Sequence, residues 1–180
     1  MQPLNIPTKR LTIRHLVETD LCAFHGYRSN PEVTKYQGFD VMTIEQAAEF
    51  IKNNAPKQFG APGEWVQYAI ECLETQTLIG DCAIQLDKYD PRIATVGITI
   101  SHLDQQKGYA KEALLAILSF LFDTQNIHRV VETVDAENTA SINLLKSTGF
   151  KQEGHFIENI FFKGAWGSEY QYALLRREWN

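Results

Sequence analysis

Residues 105–110 read QQKGYA, a polar turn with a single glycine, and the chain continues directly into KEALLAILSFLF, which is almost wholly apolar after its first two residues. A helix that starts at such a turn has unpaired backbone N–H groups in its first turn and the positive end of its dipole there, so it attracts anions. Gly108 and the small Ala110 let a ligand come close to those groups. The chemistry that fits is the grip of a phosphate by backbone rather than by a basic side-chain cluster. About thirty residues later NTASINLLKSTGF reads as a second helix, with Asn138 or Thr139 as its cap and Gly149 as its stop. The five histidines are scattered, none spaced from a partner like a metal pair, and no metal is expected. No cysteine sits in a nucleophile motif, which argues against a covalent enzyme intermediate.

The elements that must position these residues follow from periodicity. Ala110, Ala113, Leu114, Ile117, Leu118 and Leu121 recur at helical spacing, and their neighbours Leu115, Phe120 and Phe122 are also apolar, so this helix is buried. RLTIRHL alternates from Leu11 to Leu16 as a half-buried strand. Thr19 or Asp20 can cap a helix through LCAFHGYRSN, Pro31 opens a short second turn, and Thr43 with Gln46 forms a capping box before AAEFIKNN. After the loop KNNAPKQFGAPGE, the runs WVQYAIECL and TLIGDCAIQL form a hairpin, and IATVGITI a further strand with Gly97 inside it. RVVETV precedes the second helix, and HFIENIFF and EYQYALL close the chain. The expected order is strand, helices, three strands, helix, strand, helix, two strands.

With 180 residues, 44% apolar and 11% aromatic, the chain can bury one proper core and is expected to be a single domain over residues 1–180. Seventeen basic against 22 acidic residues, without a basic stripe, argue against a nucleic-acid surface, and an anionic ligand has to be held locally. Three cysteines without a CxxC point to free thiols in a reducing compartment. The start MQPLNIPTKRLTIRHL lacks the apolar core of a signal peptide, and the run from Ala113 to Phe122 is far short of the ~20 residues a bilayer needs. A cytoplasmic protein without membrane association is expected.

The loop and the second helix together resemble the core of the GCN5-related N-acetyltransferases (GNAT), whose pyrophosphate loop has the form Gln/Arg-x-x-Gly-x-Gly/Ala; Gln105, Gln106, Lys107, Gly108, Tyr109 and Ala110 fit it. RLTIRHL, TLIGDCAIQL, GYAKEAL, IHRVVETVDAENTASINLLKSTGFKQEG and the closing YALLRREW extend the likeness over nearly the whole chain, to the branch of the ribosomal-protein alanine acetyltransferases (RimJ/RimL-like). The fold this implies is mixed α/β, with a mostly antiparallel sheet of about seven strands, a splayed central parallel pair and helices on both faces. The implied reaction is direct transfer of acetyl from acetyl-CoA to a primary amine in a ternary complex, the acceptor being a protein N-terminus, a polyamine or another small amine. The resemblance also leaves room for a homodimer.

Carried over residue by residue, the likeness assigns the cofactor to Gln105, Gln106, Lys107, Gly108, Tyr109, Ala110 and Lys111 at the pyrophosphate, and to Ile98, Thr99 and Ile100, whose strand edge would pair with the pantetheine arm. Asn138 aligns with a residue that contacts the cofactor arm or an ordered water, and it suits a helix cap equally well. Ser141 occupies the place of a hydroxyl near the departing sulfur, where it would protonate the thiolate; the alternative is a solvent-facing serine. Where relatives commonly carry Glu-Ile-Gly, this strand has Thr95, Val96 and Gly97, so the usual carboxylate base is missing. Asp81, Asp87 or Glu71 could act through water, and a solvated strand end is the plainer fate of each. The segment from Tyr36 to Gly63 is expected to wall the acceptor pocket. The missing glutamate motivates the alternative function, a non-catalytic acyl-CoA-binding module.

Overall fold

A computed structural model describes residues 4–179; Met1, Gln2, Pro3 and Asn180, which the single-domain and leader readings include, lie outside the described residues. The elements are β1 (Asn5–Pro7), β2 (Leu11–His15), α1 (Leu21–Arg28), α2 (Pro31–Thr34), α3 (Ile44–Asn54), β3 (Trp65–Cys72), β4 (Thr77–Leu86), β5 (Ile93–Ile100), α4 (Tyr109–Ser119), β6 (Arg129–Asp135), α5 (Thr139–Ser147), β7 (Lys151–Phe162) and β8 (Ala165–Leu175). They form one sheet in the order β1-β2-β3-β4-β5-β6-β8-β7, antiparallel at every boundary except β5–β6. Eight strands stand where about seven were expected. The extra one, β1, is three residues ending in proline, too short to carry a period-two signal.

Helices cover both faces. On one, α4, its π-helical continuation Phe120–Thr124 and α5 pack Leu114, Ile117, Leu118, Phe122 and Leu145 onto Ile84, Val96, Val130 and Tyr172. On the other, α1 and α3 pack Phe24, Tyr27, Ala47 and Ile51 onto Ala69 and Leu78. No helix among the described residues is long and apolar enough to cross a membrane.

The expected caps explain most helix starts. Asn30 Oδ1 accepts the Glu32 N–H at 2.9 Å ahead of Pro31 at the first position of α2. The Gln46 N–H donates to Thr43 Oγ1 (3.3 Å) while the Thr43 N–H donates to Gln46 Oε1 (2.8 Å), closing the box at α3. At α5 the choice falls on Asn138, whose Oδ1 accepts the Ser141 N–H at 3.1 Å. Neither Thr19 nor Asp20 caps α1 by its side chain. The Asp20 carboxylate instead accepts from the Val17 N–H at 2.9 Å and from both Arg14 Nη atoms at 2.8 Å, tying the chain entering α1 to β2.

Candidate active site

Strands β5 and β6 pair only at Ile93↔Arg129, Ala94↔Val130 and Thr95↔Val131, after which they part. From Val96 to Ile100 strand β5 keeps β4 on one edge and, among the described residues, has no strand on the other. A strand residue sends its N–H and C=O to the same side. Since the Ile100 C=O accepts from Gln105 Nε2 at 3.1 Å, on the edge away from β4, alternation turns the N–H and C=O of Ile98 to that free edge as well. Ile98 thus offers backbone to the gap, whereas the Ile100 carbonyl is already held by Gln105.

The loop into α4 has the backbone a phosphate cradle needs. Gln106 (φ +62°) and Gly108 (φ +81°) are both left-handed, and Gly108 caps α4 without a side chain. Arg10, which carried no site signal in the sequence, props this loop from β2's side. Its Nη1 donates to the Lys107 carbonyl at 3.0 Å, its Nε pairs with Glu112 at 2.6 Å, and its guanidinium lies 4.6 Å from the centre of the Tyr109 ring. A cleft of about 640 Å³ runs along the free edge of β5 to this loop, and Ile98, Thr99, Ile100, Gln105, Gln106, Gly108, Tyr109, Ala110, Lys111, Asn138 and Ser141 line it. Lys107 does not. Its ammonium turns to Asp104 at 2.8 Å, an ion pair within the loop itself.

A second cavity, of about 280 Å³, shares Tyr36, Gln37, Ile98, Asn138, Ser141 and Leu144 with the first and extends into the gap between β5 and β6. A Cβ built on Gly97 would meet no atom within 4 Å, so this glycine leaves open space beside the gap. Glu132, the first residue of β6 beyond the last β5–β6 pair, lies on the cavity wall. Two residues from each of the core residues Val130 and Val134, it shares their side of the strand and so points to the α4–α5 face. Its side chain is half-buried and lies on the wall of this cavity. Burial, without any compensating partner, pushes its carboxyl well above the usual carboxylate range. Sequence reasoning passed over Glu132 as a strand residue, although a carboxylate on the apolar face of RVVETV was itself a signal.

The proposed acid, Ser141, is half-buried and lines both cavities, as does Asn138, which therefore caps α5 and faces the site at once. Thr95 shares the face of Gly97 and Thr99, opposite the core-facing Val96 and Ile100, but it lies where β5 and β6 are still joined and is not on the cavity wall. The water-relayed bases considered for it are engaged elsewhere. Asp81 is buried in an ion pair with Arg28 (2.6 Å) and also accepts from the Tyr27 hydroxyl and the Gln67 amide; Glu71 pairs with Arg14; Asp87 accepts the N–H groups of Tyr89 and Asp90 at 2.8 Å. Of the segment expected to wall the acceptor pocket, Tyr36, Gln37 and Gly38 do so. Phe39 covers the Arg28 guanidinium and Phe59 packs on Phe120, and neither lines the cavity.

Comparison with known proteins bears on what this arrangement serves. The family model described as acetyltransferase (GNAT) domain matches residues 10–151. The chain is 35% identical over 178 residues, 98% of its length and 100% of the relative's, to the uncharacterized N-acetyltransferase YnaD of Bacillus subtilis (strain 168). It is 28% identical to the spermidine N(1)-acetyltransferase of Vibrio cholerae over 86% of its length and 87% of that protein's. Over a shorter stretch, 47% of this chain and 44% of the relative, it is 32% identical to the [ribosomal protein uS5]-alanine N-acetyltransferase of Escherichia coli (strain K12). Among solved structures, an acetyltransferase (GNAT family) from Bacillus anthracis superposes with a TM-score of 0.87 at 29% identity, covering 97% of this chain and 100% of that one.

Proposed function

The chain belongs to the GNAT acetyltransferase family and is an acetyltransferase, and from that premise we propose that it moves the acetyl group of acetyl-CoA to a primary amine by direct attack in a ternary complex. The observation that carries this reading is the continuity of the two cavities. A left-handed loop suited to a pyrophosphate, a free strand edge suited to an extended pantetheine arm, and a gap in the sheet with a hydroxyl on its wall follow one another in that order. The open space at Gly97 leaves room for an acyl group in the gap.

Acetyl-CoA, when bound, supplies an activated thioester. The loop from Gln105 to Ala110 and the first turn of α4 hold the pyrophosphate through N–H groups, and Arg10 keeps the loop in that shape. Ile98 pairs with the arm as a neighbouring strand would. An Ile98 N–H turned to the gap stabilises the negative charge that grows on the thioester oxygen. Ser141 passes a proton to the departing sulfur. The acceptor enters past Tyr36, Gln37 and Gly38. The charged side chains on the cavity wall are Glu132, Asp135 and Glu169, which suits a cationic amine such as a polyamine or a protein N-terminus. We read residues 1–180 as one domain carrying this site.

Thiol release from acetyl-CoA with spermidine, spermine, a peptide beginning with alanine, and simple alkylamines tests the reading. Amine-dependent release supports it. Tight acetyl-CoA binding with no release for any amine would instead favour a binding module.

A further inference from the structure

One carboxyl on the cavity wall has no structural task. Asp135 accepts the Glu137 N–H at 2.8 Å and Glu169 accepts from the Asn159 amide at 2.6 Å, whereas Glu132 bonds to no described residue. It sits where the parallel strands have just parted, in the cavity that Gly97, Ile98, Asn138 and Ser141 also line. We propose that Glu132 takes a proton from the acceptor's ammonium group and so generates the attacking amine, an inference that rests on the acetyl-transfer reading above. It supplies, from the other strand of the splayed pair and the opposite face of the sheet, the carboxylate that Thr95 does not.

One of the three ammonium protons moves to a Glu132 carboxylate oxygen. The freed lone pair forms the C–N bond to the acetyl carbon, and the C–S bond breaks with its electrons going to sulfur. A second nitrogen proton reaches that sulfur through the Ser141 hydroxyl. The third stays on the amide, and Glu132 returns its proton to solvent.

In water this transfer is uphill, since a free carboxylate titrates about four pKa units or more below an amine. A dry site draws the two together, because burial disfavours the carboxylate and the ammonium alike. Val96 and Ile98 from β5, Leu114 from α4 and Leu145 from α5 supply that environment, and none of these elements brings a charged side chain to the cavity. The titratable groups that do line it are Asp135 on the same strand, Glu169 on β8 and Tyr36, and the buried Tyr172 is the cross-strand neighbour of Glu132. The elevated Glu132 carboxyl has burial as its cause.

The experiment is the rate against pH for Glu132→Gln and Glu132→Asp, with spermidine or whichever amine of the panel turns over, beside a carboxyl carbon NMR titration of Glu132 in the cofactor-free protein, assigned through the Glu132→Asp spectrum. The expected results are a 100-fold or greater fall in kcat at pH 7 for Glu132→Gln, partial recovery in Glu132→Asp, and a Glu132 resonance titrating well above pH 4.5. In Glu132→Gln the residual rate should follow the free-amine fraction alone. Wild-type kcat and pH profile in folded Glu132→Gln, or a Glu132 carboxyl titrating in the ordinary range, would overturn the proposal. Failure of the wild-type protein to release CoA with any amine overturns the transfer reading itself, and the NMR titration keeps the two failures apart.

Discussion

Thr95 of β5 and Val131 of β6 are the last residues paired across the parallel boundary of the sheet, and the site opens immediately beyond them. One step along β6 comes Glu132; two steps along β5 comes Gly97. A Cβ on Gly97 meets nothing within 4 Å, so Gly97→Val should fold, with Tm unchanged or slightly raised, since glycine inside a strand is worth roughly 0.5–1 kcal/mol less than alanine. On the acetyl-transfer reading, the added isopropyl group would occupy space that the acyl arm needs. Calorimetry should show acetyl-CoA affinity falling at least tenfold, and wild-type affinity in this variant would mean that the arm does not enter the gap.

Gly108→Val tests the other end of the cofactor path. Its φ of +81° is unfavourable for any β-branched residue, and the new side chain would crowd Arg10, whose Nη2 lies 3.4 Å from the ideal Cβ position. The loop should lose both its left-handed turn and its prop. CoA affinity is expected to drop by more than tenfold in a protein whose far-UV spectrum is unchanged. Arg10→Ala, which removes only the prop, should raise KM for acetyl-CoA several-fold and leave kcat nearly intact, as expected of a residue that shapes the loop without touching the reacting atoms.

Ser141→Ala separates chemistry from folding. The Ser141 backbone N–H, not its hydroxyl, donates to the capping Asn138 Oδ1, so the substitution leaves the start of α5 in place. A fall in kcat of about 10–100-fold with KM for acetyl-CoA unchanged is the expected result if the hydroxyl protonates the leaving thiolate. A wild-type kcat would reduce Ser141 to a lining residue.

Local signals in the sequence were enough for the loop and the two helix starts along this cleft. The glycine turn, the apolar helix behind it and the Asn138 cap are each decided by neighbours a few residues apart, and all three stand as expected. What escaped was set by distant pairings. Arg10 reaches the loop only because β2 and α4 pack together across nearly a hundred residues of chain, as the Arg10–Lys107 and Arg10–Glu112 contacts show. Glu132 acquires its surroundings only where two strands diverge, an event with no mark of its own in RVVETV. Asp81 reads as a strand-end carboxylate, and its burial against Arg28 depends on α1 lying over β4.

That buried pair predicts a stability effect independent of activity. Arg28 and Asp81 are 3% and 1% exposed, and the guanidinium also lies over the Phe39 ring at 3.9 Å. Asp81→Asn leaves a buried cation without its counter-charge, a loss of about 3–5 kcal/mol. For a chain of this size that lowers Tm by roughly 6–20 °C. Replacing both partners by apolar residues, Arg28→Met with Asp81→Leu, should recover a good part of the loss. Calorimetric unfolding checks both, and a single variant as stable as wild type would show the pair to be hydrated.

Glu132 should leave a signature on folding as well as on rate. Its carboxyl is raised well above the ordinary range in the folded protein, while in the unfolded chain it titrates near ~4.5. Between those two values the folded state holds a proton that the unfolded state has released, so stability declines as pH rises through that window. The full contribution is present below the unfolded value and is lost above the folded one. Glu132→Gln has no proton to lose at this position and escapes the decline. The variant should therefore unfold at about the wild-type temperature near pH 4.5 and at a higher temperature near pH 8, a gain in stability at the expense of turnover. A difference in Tm that stays constant from pH 4.5 to pH 8 would place the Glu132 carboxyl in water, and the dry environment argued for proton transfer would be lost with it.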